Sequence, residues 1–407
     1  MPEARDGAVG LTIRPREGHM TETPPIELPF TLDEYRSRLA RVQAAARQRG
    51  IDAMFVSIPE NNYWLTGFRT LGYFYYMVLL VPVEGDPIHL ARYVEKNIIE
   101  GSSWVRRAEY YDDSEDYLDA TARIFGKYGL DRATVSIDKG AWYFTIAEYE
   151  GLQRRLPHTK FVDGTGIVEL LRLVKSPAEQ SHTRKAAKIL SGGMQAALKS
   201  IRPGVTENDV MATAYDYLLR HGSEVVAEPP MVLSGVHASM AHAAPEGVRI
   251  NPGDVVYHEI GASVKRYHAA MMRTAFVGDP PKEIVDRVDL CRRAIDAGIE
   301  QMRPGNRAQE VDRAVRRVMR DGGCGDLFRH KAGYSLGAAF PPDWSEAQTF
   351  QLREGEMREL QPGMIFHILP TIFDYPKHGL GVSDTVLITD RDREVLTEGD
   401  NHLYVVR

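Results

Sequence analysis

The order of predicted strands and helices changes at residues 175–177, and this change constrains the fold more than any other feature. Before it, short apolar strands alternate with amphipathic helices, as in an α/β domain with a mixed sheet. After it come two helices, two long strands that we expect to pair antiparallel, and then further helices and strands. A chain of 407 residues also exceeds the roughly 250–300 residues that one core usually serves. We predict an α/β (α+β) protein with a leader at 1–27 and domains at 28–174 and 175–407.

Hydrophobic periodicity and capping residues place the individual elements. Predicted helices cover residues 31–49, 114–128, 145–156, 166–173, 177–201, 206–219, 284–302 and 308–320. Predicted strands cover residues 53–56, 77–83, 87–91, 134–137, 255–261, 266–277, 364–373, 381–389 and 403–406.

Composition excludes several classes of partner. The formal charge of −6 and the scattered basic residues predict no nucleic-acid binding. No apolar run approaches the roughly 20 residues that cross a bilayer, so we expect no membrane partner. The leader lacks the apolar core of a secretory signal, and the native start is either Met1 or Met20. Two cysteines make no disulfide framework, which favours a reducing cytoplasm.

Four segments of the second half carry a resemblance to a known family. The first is Ser234-Gly235 with Ala241-His242-Ala243-Ala244-Pro245. The second is Gly253-Asp254 with Glu259-Ile260-Gly261, Tyr267 and Arg273-Thr274. The third is Gly333-Tyr334-Ser335-Leu336-Gly337, and the fourth is Gln361-Pro362-Gly363-Met364-Ile365-Phe366. They resemble the creatinase, aminopeptidase P and methionine aminopeptidase family. The first half is similar to the smaller domain that precedes the catalytic one in creatinase and prolidase, and the resemblance implies a turn at residues 62–68. The resemblance implies a "pita-bread" catalytic domain, in which a curved antiparallel sheet holds the site and helices cover its back.

The resemblance also implies a metal site that has lost its ligands. Metallopeptidases of the family bind two metal ions with two Asp, one His and two Glu. Here those positions fall on Glu259, Ala270, Tyr334, Leu369 and Ser383. Hard divalent ions need several oxygen or imidazole donors, and one carboxylate does not supply them. We therefore expect no metal and no other cofactor, as in creatinase, which also works without metal.

Three residues are candidates for catalysis. Glu259 lies in an apolar strand, where a buried carboxylate without a metal must be paired, protonated or catalytic. The resemblance gives His242 the role of general acid and base, for which an imidazole that titrates near neutrality is suited. His367 shares a strand face with Leu369, one of the implied ligand positions. The alternatives are a salt-bridge arm for Glu259, a solvated loop histidine for His242 and a satisfied core histidine for His367.

Five further residues are candidates for substrate binding. Tyr334 and Ser383 either donate hydrogen bonds to the substrate or fill space. Arg273 either contacts the substrate or anchors its strand in an ion pair. Arg69 and Tyr73 follow Gly67-Phe68 in the first domain. In creatinase-like dimers this region reaches the partner's site and holds a carboxylate, for which the planar donors of Arg are suited. The alternative is a surface arginine beside a core aromatic patch.

The resemblance implies a metal-independent hydrolase of a C–N bond in a small carboxylate-bearing amidine or guanidine. Glu259-Ile260-Gly261 and Phe340-Pro341-Pro342-Asp343-Trp344 are similar to the ectoine hydrolases of the family, and after them to creatinase. Met272 stands where creatinase has a Glu, which argues against creatine. A creatinase-like amidinohydrolase, an Xaa-Pro dipeptidase-like enzyme and a non-catalytic ligand-binding relative remain as alternatives. We expect a small-molecule substrate and a homodimer.

Overall fold

The computed structural model describes residues 28–407, so the predicted leader at 1–27 lies outside the described residues. The helices are α1 (Leu32–Gln48), α2 (Pro59–Thr66), α3 (Lys96–Ser102), α4 (Tyr117–Lys127), α5 (Ile146–Arg155), α6 (Ile167–Arg172), α7 (Pro177–Ser200), α8 (Glu207–Arg220), α9 (Lys282–Gln301) and α10 (Ala308–Asp321). None of these helices is both long enough and apolar enough to cross a bilayer.

The strands alternate with these helices in the first domain and follow one another more closely in the second. They are β1 (Ala53–Val56), β2 (Val78–Pro82), β3 (Ile88–Arg92), β4 (Ala108–Tyr111), β5 (Thr134–Ile137), β6 (Lys160–Asp163), β7 (Met231–Ser234), β8 (Val255–Val264), β9 (Tyr267–Val277), β10 (Gly333–Ser335), β11 (Gln351–Leu352), β12 (Ile365–Ile368), β13 (Thr371–Asp374), β14 (His378–Gly381), β15 (Asp384–Ile388), β16 (Arg393–Val395) and β17 (Tyr404–Val406).

The N-terminal domain is built on a six-stranded mixed sheet of order β4-β3-β2-β1-β5-β6. Strands β1, β5 and β6 run parallel, whereas β2 pairs antiparallel with both β1 and β3. Apolar residues are buried on both faces, as Phe55 and Val56 show by packing into separate clusters. The predicted mixed α/β domain is confirmed.

Two sheets meet in the C-terminal domain. One has the order β17-β9-β8-β7 and the other β11-β10-β12-β15-β16, and all their pairings are antiparallel except that of β17 with β9. A bridge between Met272 and Ser383 joins them, and the Thr385 hydroxyl donates to the Ala270 carbonyl at 2.8 Å. Helices α7 and α8 pack on the back of β8 and β9, while α9 and α10 cover the second sheet. This arrangement confirms the predicted two-domain architecture.

Two predicted elements are wrong. Residues 62–66 end helix α2, which Gly67 closes with a φ of 82°, so only the last part of the predicted turn is a turn. The predicted strand at 364–373 is two strands, β12 and β13, which belong to different sheets. Pro370 lies between them, and a proline cannot donate to a strand ladder.

A buried ion-pair network holds the two domains together. Glu346 of the C-terminal domain accepts a hydrogen bond from Lys175 Nζ at 2.6 Å and one from Arg172 at 3.3 Å. Arg172 ends α6 of the N-terminal domain and also donates to the Ala338 carbonyl at 2.7 Å. These bonds set the position of segment 338–346, which contributes Trp344 to the site described next.

Candidate active site

Glu259 lies on β8 with its side chain on the sheet face that points away from α7 and α8. Strand alternation places Ile260 on the helix side, where it packs in one core with Leu190. The Glu259 residue is only 5% exposed, and the Tyr257 hydroxyl donates to its Oε2 at 2.7 Å. Burial raises the pKa of Glu259 to about 7, although the bond from Tyr257 opposes this shift. The carboxyl group is therefore about half ionised at neutral pH.

Strand register brings three of the other predicted residues to this carboxylate. Tyr334 is paired with His367 across β10 and β12, and Ser383 is bridged to Met272, which lies opposite Glu259. His367 Nδ1 is 2.9 Å from the Tyr334 hydroxyl, and its Nε2 is 2.5 Å from Ser383 Oγ. His367 Nδ1 is also 4.0 Å from Glu259 Oε1, which is too far for a hydrogen bond.

His367 positions hydroxyl groups and does not carry a charge. Complete burial lowers the pKa of His367 to about 3, so the imidazole is neutral throughout the physiological range. A neutral imidazole donates through one nitrogen and accepts through the other. Trp344 Nε1 donates to the Tyr334 hydroxyl at 3.0 Å, which extends the chain of hydrogen bonds. One hydroxyl of Tyr334 and Ser383 therefore donates to the ring and the other accepts from it.

His242 lies on an exposed loop at the rim of the same sheet face. Its neighbour Ala243 packs against the apolar cluster that contains Tyr257 and Met272, so the loop lies on the Glu259 side. The φ of His242 is 61°, a left-handed conformation that is uncommon for a residue other than glycine. Such strain is concentrated at functional sites. Among the described residues, no hydrogen bond joins His242 to Glu259 or His367.

The contacts of Arg273 favour the anchoring alternative over substrate binding. Its guanidinium donates to the carbonyls of Met272 and Ser383 at 2.8 and 2.7 Å, and to that of Asp400 at 2.9 Å. It also pairs with Asp384 at 2.9 Å, and the residue is 2% exposed. Arg273 therefore fixes the junction of the two sheets beneath Ser383 and leaves little donor capacity for a ligand.

Arg69 and Tyr73 lie in the N-terminal domain. The Tyr73 ring packs edge-on against Tyr143 and is tilted over Phe340 at the domain boundary. Arg69 is half-buried, and one of its terminal nitrogens is buried without a hydrogen-bond partner among the described residues. A buried guanidinium nitrogen without a hydrogen-bond acceptor lowers stability. Arg69 is therefore a candidate for contact with an anionic group that would supply the acceptor.

The structure adds residues that the sequence patterns did not indicate. Burial, and then the charges of Glu259 and Asp343, raise the pKa of Glu228 to about 8, so this carboxyl group is mostly protonated at neutral pH. The Lys331 ammonium lies 5.4 Å from the centre of the Tyr334 ring. Tyr257 was detectable from its two-residue spacing to Glu259, but Glu228 lies in a loop before two prolines, where no periodicity applies.

These side chains do not fit a two-metal centre. Ala270 has no donor, and Leu369 packs against the apolar cluster around Tyr257. Tyr334 and Ser383 are both hydrogen-bonded to the neutral His367. The Trp344 ring lies so close to Gly261 that a Cβ there would be 2.8 Å from it. One carboxylate among the five implied positions is too few oxygen donors for divalent ions.

A second group of ligand-type side chains lies elsewhere and already has a cation. Glu283, Asp374 and His378 lie close enough to share an ion. Arg287, however, is 2.8 Å from Glu283, 2.8 Å from Asp374 and 2.6 Å from His378 Nε2. The guanidinium therefore supplies the positive charge that the group attracts.

Comparison with known proteins agrees with this geometry at the level of the family. The model for metallopeptidase family M24 matches residues 181–390, and that for the creatinase/prolidase N-terminal domain matches residues 38–174. The ectoine hydrolase of Halomonas elongata is 31% identical over 400 residues, which cover 93% of this chain and 99% of that protein. An uncharacterized hydrolase/peptidase of Sinorhizobium fredii is 27% identical over 391 residues, with the same 93% and 99% coverage.

Solved structures share the fold. The prolidase from Thermococcus sibiricus has a TM-score of 0.84 at 24% identity and covers 91% of this chain and 99% of its own. The dipeptidase PepE from Mycobacterium ulcerans has a TM-score of 0.81 at 24% identity, with 93% and 99% covered. The chain therefore belongs to metallopeptidase family M24, a family of hydrolases, and carries the creatinase/prolidase N-terminal domain in front of the catalytic fold.

Proposed function

We propose that this chain is a metal-independent hydrolase that opens the ring of ectoine, a cyclic amidine bearing a carboxylate, to N-acetyl-diaminobutyrate. The observation that carries the proposal is Glu259. It is a buried carboxylate at the implied metal position, with a pKa of about 7 and a hydroxyl network beside it in place of metal ligands. A desolvated carboxylate is a stronger base and nucleophile than one in water.

The substrate itself activates Glu259. An amidinium cation placed next to the carboxylate favours the ionised form and lowers its pKa. Glu259 then removes a proton from a water that attacks the carbon between the two nitrogens. Alternatively, Glu259 attacks that carbon itself, and a water then attacks the same carbon, breaks the ester bond and frees the carboxylate. The oxygen of water ends as the amide carbonyl oxygen, one ring C–N bond breaks, and the departing nitrogen takes up a proton. His242 or the protonated Glu228 supplies this proton. Of Tyr334 and Ser383, the hydroxyl that accepts from the His367 ring donates its own O–H to the developing charge.

The substrate carboxylate requires a cation, and two residues are placed to provide one. Lys331 lies beside the Tyr334 ring in the same chain. Arg69 belongs to a segment with large exposed apolar side chains, and Leu71 is 81% exposed. We infer that this segment packs against a second copy in a homodimer and brings Arg69 to the partner's site. Burial of such a patch against another chain removes apolar surface from water.

The whole-length similarity to the ectoine hydrolase of Halomonas elongata supports this substrate over the alternatives. The prolidase-like structures share only the fold at 24% identity. An Xaa-Pro peptidase of this family needs the metal ligands that Ala270, Leu369 and Ser383 replace. Met272 argues against creatine, as the sequence already indicates. A non-catalytic relative has no need for a buried carboxylate near half ionisation.

Proton NMR of the purified protein mixed with ectoine tests the proposal. Loss of the ring resonances should be accompanied by an acetamide methyl signal, and Glu259→Gln should abolish the change. Creatine and an Xaa-Pro dipeptide serve as parallel substrates. Turnover of either one in preference to ectoine would reject the substrate assignment.

Elemental analysis tests the metal-independent part. We expect no stoichiometric Zn, Mn, Co or Fe, and full activity after dialysis against a chelator. Two tightly bound metal ions per chain, or activity that returns only with added metal, would overturn it.

A further inference from the structure

A cavity of about 300 Å³ lies between the two domains, and residues 340–343 of the C-terminal domain are part of its lining. One wall consists of residues that follow three parallel strands, namely Glu60 after β1, Trp142 after β5 and Glu169 after β6. The carboxyl ends of adjacent parallel strands are the usual place for ligands in α/β domains. A volume of this size is at the lower end of the range for small-molecule sites.

Aromatic rings form much of the cavity lining. Trp142 lines it and is 53% exposed, which is high for an indole that no partner covers. Tyr143 and Phe340 line it as well, and the Tyr143 hydroxyl donates to the Pro341 carbonyl at 2.7 Å. This bond ties the loop after β5 to the C-terminal domain. The Tyr143 ring is therefore held at the domain boundary before any ligand arrives.

Carboxylates without a basic partner supply the charge. Glu60 accepts from the Phe340 N–H at 2.9 Å, and Glu169 accepts from the Gly166 N–H at 3.1 Å. Asp343 accepts from the N–H and hydroxyl of a serine two residues later, each at 2.7 Å. No ion pair to any of these three carboxylates occurs within residues 28–407.

The basic side chains near the lining neutralise only part of this charge. Arg172 and Lys175 both pair with Glu346, at 3.3 and 2.6 Å. Burial raises the pKa of Glu60, and the positive charge of Arg172 opposes this shift. Asp138 directly follows β5 and is 2% exposed, and burial raises its pKa well above the ordinary value, so it contributes little charge. The cavity therefore combines aromatic faces with the carboxylates of Glu169 and Asp343, which form no ion pair within residues 28–407.

We propose that this cavity is a second ligand site, which binds a small organic cation of the ammonium or amidinium class. The Trp142 ring would attract the cation through its face, and Glu60 and Glu169 would balance its charge. Aromatic faces combined with anionic groups are the usual means of recognising organic ammonium ions. The site is independent of the reaction proposed for Glu259, because none of these three residues touches that carboxylate in the described structure.

Calorimetric titration with tetramethylammonium chloride tests the site. The wild-type protein should bind at millimolar concentrations, and Trp142→Ala should weaken binding by about tenfold. Glu169→Gln removes the charge but keeps the acceptor for the Gly166 N–H, and should weaken binding severalfold. Glu150→Gln removes an exposed carboxylate of α5 outside the cavity and should leave binding unchanged.

Two results would overturn the proposal. The first is the absence of binding to the wild-type protein at millimolar concentrations, or equal affinity of the Trp142→Ala and wild-type proteins. The second is loss of binding in Glu259→Gln alone, which would place the cation in the candidate active site. Circular dichroism of each variant checks that it is folded. Since tetramethylammonium is not hydrolysed, the result does not depend on whether the chain acts on ectoine.

Discussion

Glu259 stabilises the folded chain less at high pH than at low pH. Its pKa rises from the ordinary value of 4.5 to about 7 on folding, because burial disfavours the charged form. Between these two values the folded state binds a proton that the unfolded state has released. The contribution of Glu259 to the free energy of unfolding therefore falls as pH rises from about 4.5 to 7, and that contribution is constant above this range. At pH 7 and above, burial of the ionised Glu259 therefore lowers the stability of the folded chain.

Replacing Glu259 with Gln should separate stability from activity. The amide is nearly isosteric and uncharged, so the free energy of unfolding at pH 8 should rise by up to about 3 kcal/mol, with little change near pH 4.5. The kcat should fall by on the order of 10³ or more, as loss of a nucleophile or base usually causes. Urea unfolding at both pH values and steady-state kinetics measure the two effects, with Glu150→Gln as the control.

A variant that keeps more than about a tenth of the wild-type kcat would show that Glu259 is neither nucleophile nor base. The chemistry would then have to be assigned to His242 and the hydroxyl network.

The dependence of kcat/KM on pH should reflect the ionisation of both Glu259 and Glu228. The kcat/KM should rise with pH as Glu259 ionises near pH 7 and fall as Glu228 loses its proton near pH 8. Glu228→Gln keeps the shape of the side chain but cannot donate an acidic proton, so it should lower kcat. An unchanged kcat in Glu228→Gln would instead assign the proton donor to His242, and His242→Ala should then lower kcat.

The sequence alone predicts which residues of a strand share a face, because side chains alternate along a strand. Alternation along a strand placed His367 on the same face as Leu369, one of the implied ligand positions. It could not show that Tyr334 and Ser383 both bond to His367, because that contact depends on the register between strands distant in sequence. It also could not detect Glu228, whose loop has no period.

Elements with weak local signals were the ones missing from the prediction. Strands β4, β6, β10 and β11 have four residues or fewer, and their pairing partners are far along the chain. The division of β12 from β13 at Pro370 shows the same limit. A proline signals an interruption, but the three-dimensional arrangement decides that the chain then enters another sheet.

The network at the junction of the sheets should contribute to stability through Tyr334. Tyr334→Phe removes the hydroxyl that serves both Trp344 Nε1 and His367 Nδ1, and leaves two buried polar groups without a partner. The free energy of unfolding should fall by about 2 kcal/mol. Tyr375→Phe removes a hydroxyl from a residue that is 68% exposed and should have little effect. Equal urea midpoints for the two variants would show that the hydrogen bonds of the Tyr334 hydroxyl do not contribute to stability.

Buried polar contacts fix the position of the two domains relative to each other. Glu346 and its two cations hold segment 338–346 against α6, and the Tyr63 hydroxyl donates to the Lys265 carbonyl at 2.6 Å across the same boundary. Truncating one partner of a buried ion pair usually costs about 3–5 kcal/mol. The segment that follows Gly67 is therefore held at a defined place on the surface, with Leu71 and its apolar neighbours exposed.

A mixture of two inactive variants should recover activity if Arg69 serves the partner's site. The Arg69→Ala chain keeps Glu259, and the Glu259→Gln chain keeps Arg69, so a mixed dimer has one site with both groups. Unfolding and refolding the two together should return roughly a quarter of the wild-type activity, since half of the dimers are mixed and each has one intact site.

Sedimentation should show a dimer at micromolar concentration before and after mixing. Each variant refolded alone should stay inactive, and this is the matched control. If Arg69 acted within its own chain, neither site of a mixed dimer would be complete, and the mixture would stay as inactive as its parts. A monomer in sedimentation, or full activity of Arg69→Ala alone, would reject the proposal directly. Recovery of activity therefore requires both the dimer and the exchange of Arg69 between its chains.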